Sequence, residues 1–102
     1  MSSSRLTEIA DRELRRIAQS RGSADHVLLY LAKVTEELGE TAAEIAELDD
    51  SVGAPSDALL GELADLLISA AVLGRALGID LDAALDQRAA RLDRRWNQRG
   101  YD

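Results

Sequence analysis

From Leu59 to Leu77 the chain is apolar nearly all round a helix, and only Glu62, Asp65 and Arg75 interrupt it with charge. Such a helix has to be buried on most of its faces, against other helices or against another copy of the chain. Strands are poor competitors here. Alanine, leucine, glutamate and arginine dominate and favour helix, and the one proline, Pro55, stands outside the segment. The chain is therefore read as all-α.

Around this segment the apolar residues recur at spacings of three and four, and four helices result. The first runs from about Arg5 to Ser20, with Ser4 as N-cap, Gly22 just past its end, and a stripe of Leu6, Ile9, Leu14 and Ile17. The second runs from about Ala24 to Leu48 behind Ser23 as N-cap, with Val27, Leu28, Leu31, Val34, Leu38, Ala42, Ile45 and Leu48 on one face. A connecting loop spans Asp49 to Pro55. The third helix starts behind Ser56 and ends at Leu77, and is expected to be the most buried. The fourth starts behind Asp80 and fades near Trp96, leaving a frayed tail over 97–102. The 102 residues make one domain, 1–102, and so small a domain gains from association with further copies.

The acids in these helices carry the chemistry. A helix turns about 100° per residue, so residues three apart project together. Glu37 and Glu40 share a face of the second helix, and Glu62 and Asp65 share one on the third. Leu59, Leu60, Leu63, Leu66 and Leu67 leave the second pair little solvated surface. Two adjacent buried carboxylates cost several kcal/mol each unless something positive joins them. No lysine or arginine precedes Arg75 in that helix. A hard divalent cation with oxygen ligands solves the problem, and Mg²⁺ is the usual one for phosphate chemistry, with Mn²⁺ second. If the second and third helices pack antiparallel, the two pairs face each other as a four-carboxylate site. Solvated acids paired at i,i+4 are the competing reading, which suits Glu36, Glu44 and Glu47 better.

Composition sets limits on partners. With a net charge of −7 and 3 % aromatic residues, neither a general nucleic-acid surface nor a base-stacking platform is expected. A phosphate substrate remains compatible, because bound metal inverts the local charge. There is no cysteine, which excludes disulfides and thiolate chemistry. No apolar stretch is long enough for a membrane span, and none behind Met1-Ser2-Ser3-Ser4-Arg5 resembles a signal peptide. A cytoplasmic location is the simplest expectation.

The run Lys33-Val34-Thr35-Glu36-Glu37-Leu38-Gly39-Glu40, followed by Glu62-Leu63-Ala64-Asp65-Leu66-Leu67, resembles the split EExxE…ExxD signature of the MazG-like all-α nucleotide pyrophosphohydrolases. Leu77-Gly78-Ile79-Asp80-Leu81-Asp82-Ala83-Ala84-Leu85 is similar to the turn into that family's next helix, and Arg91-Leu92-Asp93-Arg94-Arg95-Trp96 to its basic ending. The likeness spans roughly residues 28 to 96.

The resemblance implies a four-helix MazG-like bundle packed as a dimer or tetramer. It implies Mg²⁺ held by Glu37, Glu40, Glu62 and Asp65, and hydrolysis of a nucleoside triphosphate to its monophosphate and pyrophosphate, as in the removal of non-canonical nucleotides. Glu36, the first glutamate of the motif, has a role that varies and, about 100° away from Glu37, reads as a helper. Lys33 either reaches a phosphate or pairs with Glu37 at i,i+4. Arg88, Arg91 and Arg95 are further phosphate candidates, although a helix C-terminus accounts for Arg95 equally well. Leu92 stands where some relatives place a nucleotide-holding asparagine. The base-sandwiching aromatics of others have no clear counterparts beyond His26, Tyr30 and Trp96. Of these, His26 reads as a surface residue and Trp96 as a packing anchor. A phosphoribosyl-ATP pyrophosphohydrolase carries a similar glutamate pattern and is the close rival, and the Gly78-Ile79-Asp80-Leu81 turn favours the first reading. A catalytically idle helical interaction module is the alternative of another class.

Overall fold

The computed structural model describes residues 2–48 and 54–101, with side chains described from Arg5 onward. Of the expected loop over 49–55, residues 49–53 lie outside the described residues, and 54–55 are not helical. Four α-helices are present and, among the described residues, no strand: α1 Ser2–Arg21, α2 Val27–Ala46, α3 Asp57–Ala76 and α4 Leu81–Gln98. The all-α expectation is met.

Two helix starts follow their predicted caps. Ser56 Oγ accepts from Leu59 N at 3.1 Å and Asp80 Oδ1 accepts from Ala83 N at 3.1 Å, each satisfying an N–H that the first turn leaves open. Two others differ from expectation. Ser4 lies inside α1. Ser23 does not cap α2, because its hydroxyl accepts from Asp25 N at 3.0 Å in a local turn, and the helix begins at Val27 with no side-chain cap from His26. Helix α4 runs on to Gln98, where Tyr101 N donates to Trp96 O at 3.0 Å and the two rings meet edge to face at 5.7 Å. Trp96 thus packs at the helix end.

Helices α2 and α3 form an antiparallel pair. Thr41, late in α2, meets Glu62, early in α3, through a 3.2 Å hydrogen bond from its hydroxyl to the Glu62 carbonyl. Tyr30, early in α2, shares the core with Ala71 and Val72, late in α3. Helix α1 lies on the same half of α3 and adds Ala10, Leu6, Leu14 and Ile17. It is pinned there by the Asp11–Arg75 ion pair at 2.8 Å, and Arg75 also donates to Ile79 O beyond the helix. Helices α1 and α2 pack on α3 and not on each other.

Gly78 turns the chain with φ +75°, a conformation glycine adopts without a Cβ penalty. Leu81 then docks on Gly74, where a Cβ would stand 2.8 Å from Leu81 Cδ2. Beyond that turn α4 is exposed along almost its whole length. The radius of gyration, 16.5 Å, exceeds the value of about 13 Å for a compact domain of 100 residues. The expected most-buried helix is half uncovered within one chain: Leu60, Leu63 and Leu67 of α3 stand about half exposed, beside Leu28, Leu31, Leu38 and Ile45 of α2.

Candidate metal and phosphate site

The antiparallel register of α2 and α3 brings the two acid pairs together. Carboxylate oxygens of Glu37, Glu62 and Asp65 lie within 4.8 Å of one another, and so do those of Glu36, Glu37 and Glu40. Glu37 belongs to both groups and is the most buried acid, 4 % exposed. Glu36, the expected helper, is exposed, and its long side chain brings an oxygen near those of Glu37 and Glu40 although Glu36 and Glu37 start about 100° apart on the helix.

Burial is distributed differently from expectation. Glu62 is half-buried, whereas Asp65 and Glu40 are exposed. Glu37 instead lies deep between the helices. Beside it Thr41 is buried too, with its hydroxyl 2.8 Å from the Glu37 carbonyl.

The electrostatics show what the cluster lacks. Lys33 Nζ lies 2.9 Å from Glu37 Oε1 and 3.4 Å from Glu36 Oε1. This bond holds the Glu37 carboxyl below its ordinary range and raises the Lys33 ammonium. Glu62 has no such cation. Its hydrogen bond with Glu40, its burial and the charges of Glu40, Glu37 and Asp65 push its carboxyl up to about 7. One oxygen each of Glu37 and Glu62, both Oε2, is buried with no hydrogen-bond partner. Two unpartnered buried carboxylate oxygens and a carboxyl raised by its anionic neighbours fit a hard divalent cation, whose ligands are oxygens and whose charge would offset the repulsion between the acids.

A cleft of about 470 Å³ opens beside these acids between α1 and α2, with α3 as its floor. Lys33, Glu37 and Asp65 line it together with Tyr30, Ile68 and Val72. Tyr30 is buried and donates from its hydroxyl to Ala24 O at 2.6 Å, which ties the linker to α2. Helix α1, which sequence reasoning gave no role at the site, contributes Ile9, Glu13 and Ile17 to the wall. Arg88, Arg91 and Arg95 lie exposed on α4, which packs on α1 and α3 and not on α2. The chain's own packing therefore does not bring them to the carboxylates, since α4 leaves α3 after a single docked turn.

Among the described residues no helix is long and apolar enough to cross a membrane. Residues 26–100 match the family model of the MazG nucleotide pyrophosphohydrolase domain. A phosphoribosyl-ATP pyrophosphatase from Azorhizobium caulinodans is 37 % identical over 110 aligned positions, covering 100 % of this chain and 93 % of that protein. No solved structure matches the chain. The matched region holds all four paired acids and the helices that bring them together, and the chain belongs to the MazG nucleotide pyrophosphohydrolase family.

Proposed function

We propose that the protein hydrolyses the bond between the α- and β-phosphates of a nucleoside 5′-triphosphate, releasing the monophosphate and pyrophosphate. The family's pyrophosphohydrolase activity on nucleotides is the frame for this reading. The observation that carries it is the convergence of Glu37, Glu62 and Asp65, with two unpartnered buried oxygens, at the mouth of a cleft large enough for a nucleoside.

Glu37, Glu40, Glu62 and Asp65 would hold Mg²⁺, with Mn²⁺ as the second choice, and Glu36 lies close enough to assist. Such an ion supplies charge neutralisation at phosphate oxygens and acidifies a nearby water. The chain's own residues bind and orient. Lys33 stands beside the acids and can turn its ammonium towards a phosphate. The apolar cleft walls exclude water from the sugar and base. Arg88, Arg91 and Arg95 become phosphate ligands only if a second copy presents them. The exposed leucines of α2 and α3 support a homodimer or tetramer, in keeping with the cost of leaving so much apolar surface in water. A cytoplasmic setting suits nucleotide substrates.

Two substrates fit this chemistry. Nucleoside triphosphates, including non-canonical ones, are the first. The name of the Azorhizobium caulinodans relative supports phosphoribosyl-ATP about as well, and it presents the same triphosphate group. A catalytically idle module would leave the intact carboxylate set without a use. The test is pyrophosphate release from a panel of nucleoside triphosphates and phosphoribosyl-ATP, with and without Mg²⁺. Metal-dependent release is expected, and no release from any member rejects the enzyme reading.

A further inference from the structure

A second cleft, of about 390 Å³, lies on the other side of Tyr30, between the end of α1 and the start of α2. It shares Ile17, Tyr30 and Lys33 with the first cleft, so the two adjoin at these residues. Its character differs. Arg21, His26 and Lys33 line it, against one acid, Glu36. In a chain of net charge −7 that is an unusual gathering of cationic and cationisable groups.

None of the three is fully used by the fold. Arg21 takes part in no ion pair among the described residues, and its charge acts on Tyr30. His26 Nε2 is buried with no hydrogen-bond partner, while its ring meets Tyr30 edge to face at 6.3 Å. Lys33 is bonded to Glu37 and Glu36 but keeps half of its side chain exposed. The end of α1 explains part of Arg21's placement, since cations are favourable there. It does not explain the unpartnered histidine nitrogen in the same cleft. The facing start of α2 has no acid in its first turn and no side-chain cap, so the acids near the cleft are Glu36, paired with Lys33, and Asp25 on the linker. Asp25, the acid on the linker, makes no ion pair among the described residues.

We propose that this cleft, formed by Arg21, His26 and Lys33, is a phosphate-binding subsite that takes a phosphate group of the substrate lying outside the carboxylate cluster. Lys33 sits at the junction, bonded to the cluster on one side and lining the cationic cleft on the other. The phosphate has two possible sources: the far end of the reacting triphosphate, or a separate sugar phosphate carried on the base. Either is a dianionic monoester-like end that matches a guanidinium with two fixed donors. Arg21, at the end of α1, lies outside the residues matched to the family model, whereas His26 and Lys33 lie within them, so the first helix adds one of the three groups. The role as a substrate site rests on the catalytic reading above, whereas anion binding does not.

The test uses the whole chain stripped of divalent metal on a chelating resin. Inorganic pyrophosphate and ribose 5-phosphate are titrated by calorimetry into the protein, Arg21→Ala, Arg21→Lys and His26→Gln, with circular dichroism checking each fold. Binding of at least one anion is expected, weakened tenfold or more by Arg21→Ala, less by His26→Gln, and largely restored by Arg21→Lys. Unchanged affinity in Arg21→Ala, or no binding of either anion by the unaltered chain, overturns the subsite. With Mg²⁺ present, an equal rise in KM for ATP and phosphoribosyl-ATP in Arg21→Ala assigns the cleft to the triphosphate end. A rise confined to phosphoribosyl-ATP assigns it to the sugar phosphate. No change in either KM overturns the substrate role. Intact anion binding without pyrophosphate release from any nucleotide would reject the catalytic reading and leave the subsite standing.

Discussion

Lys33 Nζ and Glu37 Oε1 lie 2.9 Å apart, one helical turn from each other on α2, so a cation from the same helix is bonded to the most buried acid of the cluster. The ammonium offsets one charge of the acid group but leaves Glu62 unrelieved. If Glu37 held a divalent ion, Lys33 would lose its partner and could turn to a phosphate. The two readings of Lys33, ion pair or phosphate ligand, would then belong to the free and the loaded protein.

Lys33→Met should therefore raise the KM for nucleotide by about ten- to hundredfold, the range of one lost charge-assisted hydrogen bond. Mg²⁺ affinity, measured by calorimetry without nucleotide, should not fall, because the lysine competes with the ion for Glu37. A matching loss of Mg²⁺ affinity would show that Lys33 organises the acids and does not bind substrate.

Glu37→Gln and Asp65→Asn should each cut turnover by roughly a thousandfold or more while leaving the far-ultraviolet circular dichroism intact, as expected where ligands hold a catalytic ion. Asp65→Asn removes a charge that acts on Glu62 and breaks no ion pair, so it should leave the metal-free melting temperature unchanged or higher, whereas Glu37→Gln gives up the Lys33 pair and should lower it. Near-native rates in either variant would reject the assignment of these acids.

Stability should depend on pH in opposite senses with and without metal. Glu62 titrates at about 7 in the fold against 4.5 ordinarily, so between these values the folded chain holds a proton that the unfolded chain has released. The metal-free protein should lose stability as pH rises from about 4.5 to 7 and then level off. Glu37 acts the other way: its lowered carboxyl contributes stability above 4.5 that is lost as pH falls through the folded value. Mg²⁺ must displace the Glu62 proton, so the rise in melting temperature that it produces should grow from about pH 5 to pH 8. Glu62→Gln should abolish the metal-free loss. Melting curves across that range, with and without Mg²⁺, decide, and a pH-independent Mg²⁺ effect would refute this account.

Leu60 and Leu67 are about half exposed on α3 and stand outside the core cluster. Light scattering at micromolar concentration should find a dimer or tetramer, and Leu60→Glu or Leu67→Glu should shift it towards monomer. A monomeric unaltered chain would contradict the proposed association.

Much of the site could be read from spacing. Three-residue steps placed Glu37 with Glu40 and Glu62 with Asp65, and an antiparallel hairpin is the simplest way to join them. Ser56 and Asp80 were legible as caps because each precedes a periodic run and has no competing local partner. Ser23 was not, because its hydroxyl serves the Asp25 amide two residues on. Which acid is buried could not be read, since Asp65 and Glu37 differ only in how far a neighbouring helix covers them. The arginines of α4 show the same limit. Their periodicity defines a helix face, but the direction in which that helix departs is set by Gly78 and by the nesting of Leu81 on Gly74. Arg21 went unremarked because its setting depends on how closely α1 and α2 approach, which no local pattern encodes.

All four paired acids come from the α2–α3 hairpin, while α1 furnishes a wall of each cleft and no member of the cluster. On the proposed reading the hairpin would carry the chemistry, and α1 would share with it the shaping of the space a substrate enters. Changes along α1 would then retune what is admitted while the acids stay in place.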